Sequence, residues 1–105
     1  MKYEFLPAGK GKSRKAIMQA AMTDAYIICC HRQDAIRLMK EAEELDLPIR
    51  FPITIDEYLR DRMMGSRVRN IVIDDLDRML PALFPNLKIE MITMSVNLER
   101  DEVRR

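Results

Sequence analysis

A short turn near the N-terminus combines the residue types that bind phosphate groups. Residues 9–14 hold two glycines, three cations and a serine, directly before a helical pattern. A glycine-rich turn before a helix directs backbone N–H groups and the positive end of the helix at an anion. Lys12 adds an ammonium group that reaches phosphate oxygens, and Ser13 adds a hydroxyl that can bind Mg²⁺. The predicted phosphate-binding residues are Gly9, Lys10, Gly11, Lys12, Ser13 and Arg14, and the alternative interpretation is a solvated surface turn.

A second group of residues that could bind a ligand or take part in catalysis lies more than sixty positions later in the chain. Asp74 and Asp75 directly follow the apolar run 71–73. A buried strand that ends in acid brings its carboxylates to the carboxyl edge of a parallel sheet, which is the edge where ligands bind. The alternative is structural, because an aspartate at the start of a helix caps free N–H groups. We therefore expect Lys12 and Asp74 at the same edge of one sheet.

The elements that must position these residues alternate along the chain, which predicts an α/β fold with a parallel sheet. The apolar run at 25–30 favours a strand that is covered on both faces. Predicted strands cover residues 2–6, 25–30, 50–54, 69–74 and 88–95. Predicted helices cover residues 12–23, 32–45, 56–62 and 76–83. Together they predict one domain at residues 1–96, followed by a charged tail at residues 97–105.

The composition excludes several classes of protein. The chain has 105 residues, a formal net charge of +1 and 48% hydrophobic residues, which favours one folded domain over a disordered segment. The near-neutral charge provides no general attraction to nucleic acid or to a membrane. No apolar run is long enough to cross a bilayer, and the N-terminus lacks the pattern of a signal peptide. One histidine and two adjacent cysteines, Cys29 and Cys30, argue against zinc and disulfides, so we expect a cytoplasmic protein.

Residues 2–95 resemble the minimal core of a RecA-type P-loop NTPase of the helicase-like branch, in the small stand-alone form found among phage proteins. The triplet Gly11-Lys12-Ser13, with Gly9 before it, resembles the Walker A motif. The run 71–75 resembles the Walker B motif. Two positions depart from the family pattern, because Leu6 replaces the first Walker A glycine and Asp75 replaces the usual glutamate.

The resemblance implies a five-stranded, mostly parallel sheet in the strand order 3-2-4-5-1, with helices on both faces. It implies that the chain binds ATP, or another nucleoside triphosphate, together with Mg²⁺. Lys12 then neutralises phosphate charge as a catalytic residue, Ser13 and Asp74 hold the metal, and Asp75 is the candidate catalytic base. In the same family, the positions of Thr93 and Ser95 after the fifth strand sense the nucleotide.

Two functions remain open from the sequence. The first is nucleotide binding with slow or partner-dependent hydrolysis, because the chain lacks the second domain that supplies an arginine in helicase motors. The second is a non-enzymatic binding or regulatory module on a degenerate P-loop scaffold. An exposed first strand at the sheet edge predicts a protein partner or self-association. Arg32 and Thr54 follow strands and suggest phosphate contacts with nucleic acid, although no aromatic residue stands beside them to stack on a base.

Overall fold

The computed structural model describes residues 2–3, 5–6, 11–60, 69–95 and 102–103, with the backbone alone at 2–3 and 102–103. Strands and helices alternate through the described residues, as the sequence predicts. The strands are β1 Lys2–Tyr3, β2 Tyr26–Cys29, β3 Ile53–Thr54, β4 Ile71–Ile73 and β5 Glu102–Val103. The helices are α1 Lys12–Thr23, α2 Arg32–Glu44, α3 Ile55–Arg60 and α4 Leu76–Leu83.

Strands β2, β3 and β4 form a three-stranded sheet in which every pair is parallel. The order is β3-β2-β4, and Ile28 at the centre lies opposite both Ile53 and Ile73. Because all three strands run in the same direction, their carboxyl ends meet at one edge of the sheet. The α/β class and the parallel pairing agree with the sequence-based prediction.

The predicted five-stranded sheet in the order 3-2-4-5-1 is wrong. Residues 84–95, which include the predicted fifth strand at 88–95, run without regular secondary structure. Strand β1 instead pairs in parallel with β5, inside the segment predicted as a tail, and the two form a separate two-stranded sheet. The alternation of residues at 88–95 is compatible with a strand, but a strand also needs the hydrogen bonds of a neighbouring strand. That partner is a tertiary property, which the local pattern does not contain.

Both faces of the central strand β2 are buried, as its continuous apolar sequence predicts. Ile27, completely buried, packs on one face with the completely buried Ile17 of α1 and Leu38 of α2. Ile28 faces the other way and packs with Ile53 and with Met79 of α4. The apolar stripes of the helices therefore hold α1 and α2 over one face of the sheet and α4 over the other. This packing fixes the first turns of these helices beside the carboxyl edge.

The starts of α2 and α3 are fixed by local hydrogen bonds. At α3, the backbone N–H of Glu57 donates to the hydroxyl of Thr54 at 3.0 Å, and the backbone N–H of Thr54 donates to the Glu57 carboxylate at 3.0 Å. This reciprocal pair is a capping box. At α2, the backbone N–H of His31 donates to the carboxylate of Asp34 at 3.0 Å. No helix in the described ranges has the length and apolarity that crossing a bilayer requires.

Candidate functional site

The lysine of the N-terminal turn meets an aspartate from the end of β4. The Lys12 ammonium donates a hydrogen bond to the carboxylate of Asp75, 63 positions later in the chain. Lys12 is the first residue of α1, and Asp75 stands directly before α4. The packing of α1 against β4 therefore brings a predicted phosphate-binding cation to the carboxyl edge of the sheet.

This ion pair belongs to a larger network of polar side chains. Arg78 on α4 lies 3.7 Å from the Asp75 carboxylate and donates to Asp34 on α2 at 3.4 Å. Arg37 on α2 donates one hydrogen bond to Asp34 at 3.3 Å and another to the Ser13 hydroxyl at 2.9 Å. Ser13 is the chain neighbour of Lys12, so the contacts close into a circle. We call this network the charged ring, and its members are Lys12, Ser13, Asp34, Arg37, Asp75 and Arg78.

Asp74 lies beside the charged ring and is 6% exposed. Its backbone N–H donates to the carbonyl of Ile28 at 3.0 Å, which extends the pairing of β2 and β4 by one residue. Among the described residues, the hydrogen bonds of the ring go to Asp34, Asp75 and Ser13, and none goes to the Asp74 carboxylate. Burial raises the pKa of Asp74 above its ordinary value, and the neighbouring charge of Asp75 raises it further. A buried carboxylate in this position is suited to binding a cation.

The positive members of the ring change the pKa of their partners. Burial by itself raises the pKa of Asp34. The hydrogen bonds from the backbone of His31 and from Arg37, together with the charge and hydrogen bond of Arg78, lower the pKa of Asp34 below its ordinary value of 3.8. The hydrogen bond to Asp75 raises the pKa of Lys12, so this ammonium stays charged at neutral pH.

The backbone at the start of α1 adopts a conformation that favours glycine. Gly11 precedes the helix at a φ of 84°, which is left-handed, and among the described residues nothing lies within 4 Å of the place of a β-carbon there. The N-cap residue of α1 is Gly11, which makes no side-chain capping hydrogen bond, and no acidic residue lies in the first turn. The first N–H groups of the helix therefore meet no competing carboxylate within their own turn. Gly9 and Lys10, the other predicted members of this loop, lie outside the described residues.

Other residues predicted from the sequence take no part in the ring. Arg14 is exposed on α1 and makes none of the contacts of the ring. The Thr54 hydroxyl serves the capping box of α3, and Arg32 lies 4.0 Å from the carboxylate of Glu57. Thr93 and Ser95 lie in the segment without regular structure, apart from the sheet that was expected to position them. The structural alternative for Asp75 also receives limited support, because it stands at the N-cap of α4 without a side-chain capping hydrogen bond.

Sequence reasoning missed three members of the ring, namely Asp34, Arg37 and Arg78. The sequence holds one local signal, an arginine three positions after an aspartate, which is the spacing of an ion pair in a helix. It occurs twice, as Asp34 with Arg37 and as Asp75 with Arg78. That spacing is common on solvated helix faces and does not indicate a site. Only the meeting of α1, α2 and α4 at one edge of the sheet joins the two pairs into one network.

The remaining candidate ligands near this edge are the cysteines and the histidine. The Cys30 thiol lies 3.4 Å from the His31 ring nitrogen and donates to the carbonyl of Arg78 at 3.3 Å. Both Cys29 and Cys30 are buried and reduced. In the described ranges, no group of three or more histidine, cysteine, aspartate or glutamate side chains is arranged to hold a metal. Comparisons of the chain with protein-family models, with curated proteins and with solved structures found no match.

Proposed function

We propose that this chain binds a nucleoside triphosphate, with ATP as the first candidate, together with Mg²⁺ at the carboxyl edge of the three-stranded sheet. One observation carries the proposal, the contact between Lys12 and Asp75 across 63 positions of sequence. It joins the lysine of a glycine-containing turn at a helix start to the acidic end of β4, an edge strand of the parallel sheet. This combination of cation, helix start and carboxylates is the one that binding a nucleotide phosphate with its metal requires.

The anion would lie against the first turn of α1. Gly11 allows a close approach of the backbone, and the uncapped N–H groups and the helix dipole favour negative charge. Lys12 provides a mobile positive charge for the β- and γ-phosphate oxygens. Its contact with Asp75 then has a second consequence, because the nucleotide must compete with this carboxylate for the ammonium. We expect moderate affinity for that reason.

The residues at the edge also fit a metal that is bound jointly with phosphate. Asp74 offers a buried carboxylate, and Ser13 offers a hydroxyl at the start of α1. Mg²⁺ in nucleotide sites usually takes one or two protein ligands, with waters and phosphate oxygens completing its shell. Since the described residues contain no group of three acidic, cysteine or histidine ligands, we expect the metal to bind with the nucleotide and not alone. When bound, it would neutralise phosphate charge.

Hydrolysis, if the chain carries it out, depends on Asp75. A general base must accept a proton from the attacking water, and Asp75 is the carboxylate next to the proposed metal ligand. In the structure its carboxylate accepts a hydrogen bond from Lys12 and faces Arg78 at 3.7 Å. Both cations compete with an attacking water for contact with this carboxylate. We therefore propose slow hydrolysis, or hydrolysis that a partner accelerates.

Calorimetric titration tests the binding proposal directly. We expect ATP with Mg²⁺ to bind the wild-type chain saturably, and Lys12→Ala to weaken binding by at least tenfold. Lys40→Ala is the matched control, because Lys40 is an exposed lysine on α2 outside the charged ring and its loss changes the net charge equally. Absence of binding to the wild type at millimolar nucleotide would exclude the proposed function.

A non-enzymatic docking module is the second candidate, and exposed apolar side chains after α4 favour it. Leu87, Met91, Ile92 and Met94 are all more than half exposed. Exposed apolar clusters on a small domain commonly serve contacts with other proteins. Sedimentation over a range of concentrations measures self-association, and a constant monomer mass together with intact nucleotide binding would argue against a docking role for a second copy.

A further inference from the structure

The side chain of Arg37 donates a hydrogen bond to the hydroxyl of Ser13, which the proposed function assigns to the metal. Its Nη1 group donates to the Ser13 Oγ at 2.9 Å, and its Nη2 group donates to the Asp34 carboxylate at 3.3 Å. Arg37 lies on α2 and Ser13 on α1, 24 positions apart, so the contact depends on the packing of the two helices. The inference below rests on the proposed function, because it concerns what happens to this contact when the nucleotide binds.

The guanidinium and a divalent cation cannot both bind Ser13 favourably. A guanidinium keeps its charge at every accessible pH, so the repulsion between it and a metal ion is not relieved by loss of a proton. Both groups also require the lone pairs of the same hydroxyl oxygen. Binding of Mg²⁺ at Ser13 therefore favours movement of the Arg37 side chain away from this hydroxyl.

The surroundings of Arg37 allow such a movement. Its side chain is 47% exposed, which leaves space for a change of rotamer. Asp34 retains its other partners without Arg37, because the backbone N–H of His31 and the guanidinium of Arg78 also donate to it. The packing of α1 on α2 depends on the buried Ile17 and Leu38, so the polar contact is not needed to hold the helices together.

We propose that Arg37 is a phosphate ligand supplied by the chain itself, which binds Ser13 in the free protein and moves to the γ-phosphate when a nucleoside triphosphate binds with Mg²⁺. The planar guanidinium matches the oxygens of a terminal phosphate in a two-bond geometry, whereas the serine offers one oxygen. Arg37 then distinguishes a triphosphate from a diphosphate.

The test compares ATP and ADP, each with Mg²⁺, by calorimetric titration of the wild type, Arg37→Ala and Arg37→Lys. We expect Arg37→Ala to lower the affinity for ATP about tenfold and to change the affinity for ADP by less than about twofold in either direction. Arg37→Lys keeps the charge but loses the fork geometry, so we expect an intermediate loss for ATP. Arg60→Ala is the control, because Arg60 lies on α3 outside the charged ring and 72% of its side chain is exposed.

A second measurement follows the metal instead of the nucleotide. At a saturating concentration of ADP, the melting temperature is recorded as Mg²⁺ is titrated. We expect Arg37→Ala to reach half of the full shift in melting temperature at a lower Mg²⁺ concentration than the wild type. The reason is that the guanidinium that competes with Mg²⁺ for the Ser13 hydroxyl is absent. A residue that only stabilises the fold would lower the melting temperature without changing this midpoint.

The outcomes separate the two proposals. If the wild type binds neither nucleotide, the proposed function fails and Arg37 has no phosphate to bind. If the wild type binds both nucleotides but Arg37→Ala weakens ATP and ADP equally, or weakens neither, the inference about Arg37 is wrong while nucleotide binding stands. If Arg37→Ala does not fold, the ratio of the ATP affinity to the ADP affinity is measured for Arg37→Lys. A ratio equal to that of the wild type would show that the inference about Arg37 is wrong.

Discussion

The guanidinium of Arg78 on α4 donates a hydrogen bond to the carboxylate of Asp34 on α2 across 44 positions of sequence, at 3.4 Å. This contact closes the charged ring on the side opposite to Ser13. It spans the carboxyl edge of the sheet between helices that cover opposite faces. Asp34 also accepts hydrogen bonds from Arg37 and from the backbone of His31, which makes it the best-connected carboxylate of the ring.

Asp34→Asn should destabilise the protein in a manner that depends on pH. The pKa of Asp34 is lowered on folding, so its charged form contributes stability above the ordinary value of 3.8, and this contribution is lost as the pH falls through the lower folded value. We expect a loss of about 1.5–3 kcal/mol at pH 7, the usual range for hydrogen bonds to a charged group. Near pH 2 the difference from the wild type should largely disappear.

Urea denaturation at the two pH values measures this effect. Asp46→Asn is the control, since Asp46 is an exposed carboxylate outside the charged ring and has the positive φ that asparagine also tolerates. An equal loss at pH 7 and at pH 2 in Asp34→Asn would show that the charge of Asp34 contributes nothing.

Asp75→Asn should increase the affinity for ATP with Mg²⁺ several-fold. The substitution releases Lys12 from its carboxylate and removes a negative charge close to the phosphates. Asparagine tolerates the φ of 61° that Asp75 adopts, so the backbone before α4 should remain unchanged. If Asp75 is also the base, single-turnover hydrolysis falls in the same variant. Calorimetry with Asp77→Asn as the control measures the binding, and an unchanged or weaker affinity in Asp75→Asn would mean that the Lys12 contact does not compete with the nucleotide.

Leu38→Ala should cost about 2–5 kcal/mol of unfolding free energy, because it removes a completely buried side chain between α2 and β2. Ile36→Ala on the same helix should cost less than about 1 kcal/mol, since Ile36 is 55% exposed. Equilibrium unfolding in urea compares the two variants with the wild type. Similar losses of unfolding free energy in both variants would contradict the assignment of Leu38 to the face of α2 that packs against the sheet.

Cys29 should make the fold sensitive to alkaline pH. Burial raises the pKa of the Cys29 thiol from 9.0 to about 12, so above pH 9 the unfolded chain ionises this group while the folded chain does not. Stability from this residue is complete below pH 9 and is lost as the pH rises towards the folded value. Between pH 9 and pH 10 the wild type should lose about 1 kcal/mol more than Cys29→Ala.

The measurement is urea unfolding under reducing conditions at both pH values. Leu38→Ala provides the comparison, because it weakens the same core without removing a titrating group and should follow the pH slope of the wild type. If Cys29→Ala shows that same slope, then the thiol does not ionise differently in the folded and unfolded chains.

The helices and the buried central strand were predictable because their signals are local. The spacing of Leu38 and Ala42 follows the helical period, and the continuous apolar run at 25–30 is typical of a strand covered on both faces. The lack of a strand at 88–95 was not predictable in the same way. The alternation of residues there is compatible with a strand, but among the described residues no neighbouring strand pairs with it, and β1 pairs with β5 instead.

For the site, the sequence by itself determined that Lys12 starts a helix after a glycine turn and that Asp74 and Asp75 end an apolar strand. Only the tertiary structure decided that Lys12 contacts Asp75, that Arg37 contacts Ser13, and that Asp34 joins two arginines. The physical reason is the range of the interactions involved. Backbone periodicity is set within a few residues, whereas hydrogen bonds between side chains of different helices depend on how those helices pack against a common sheet.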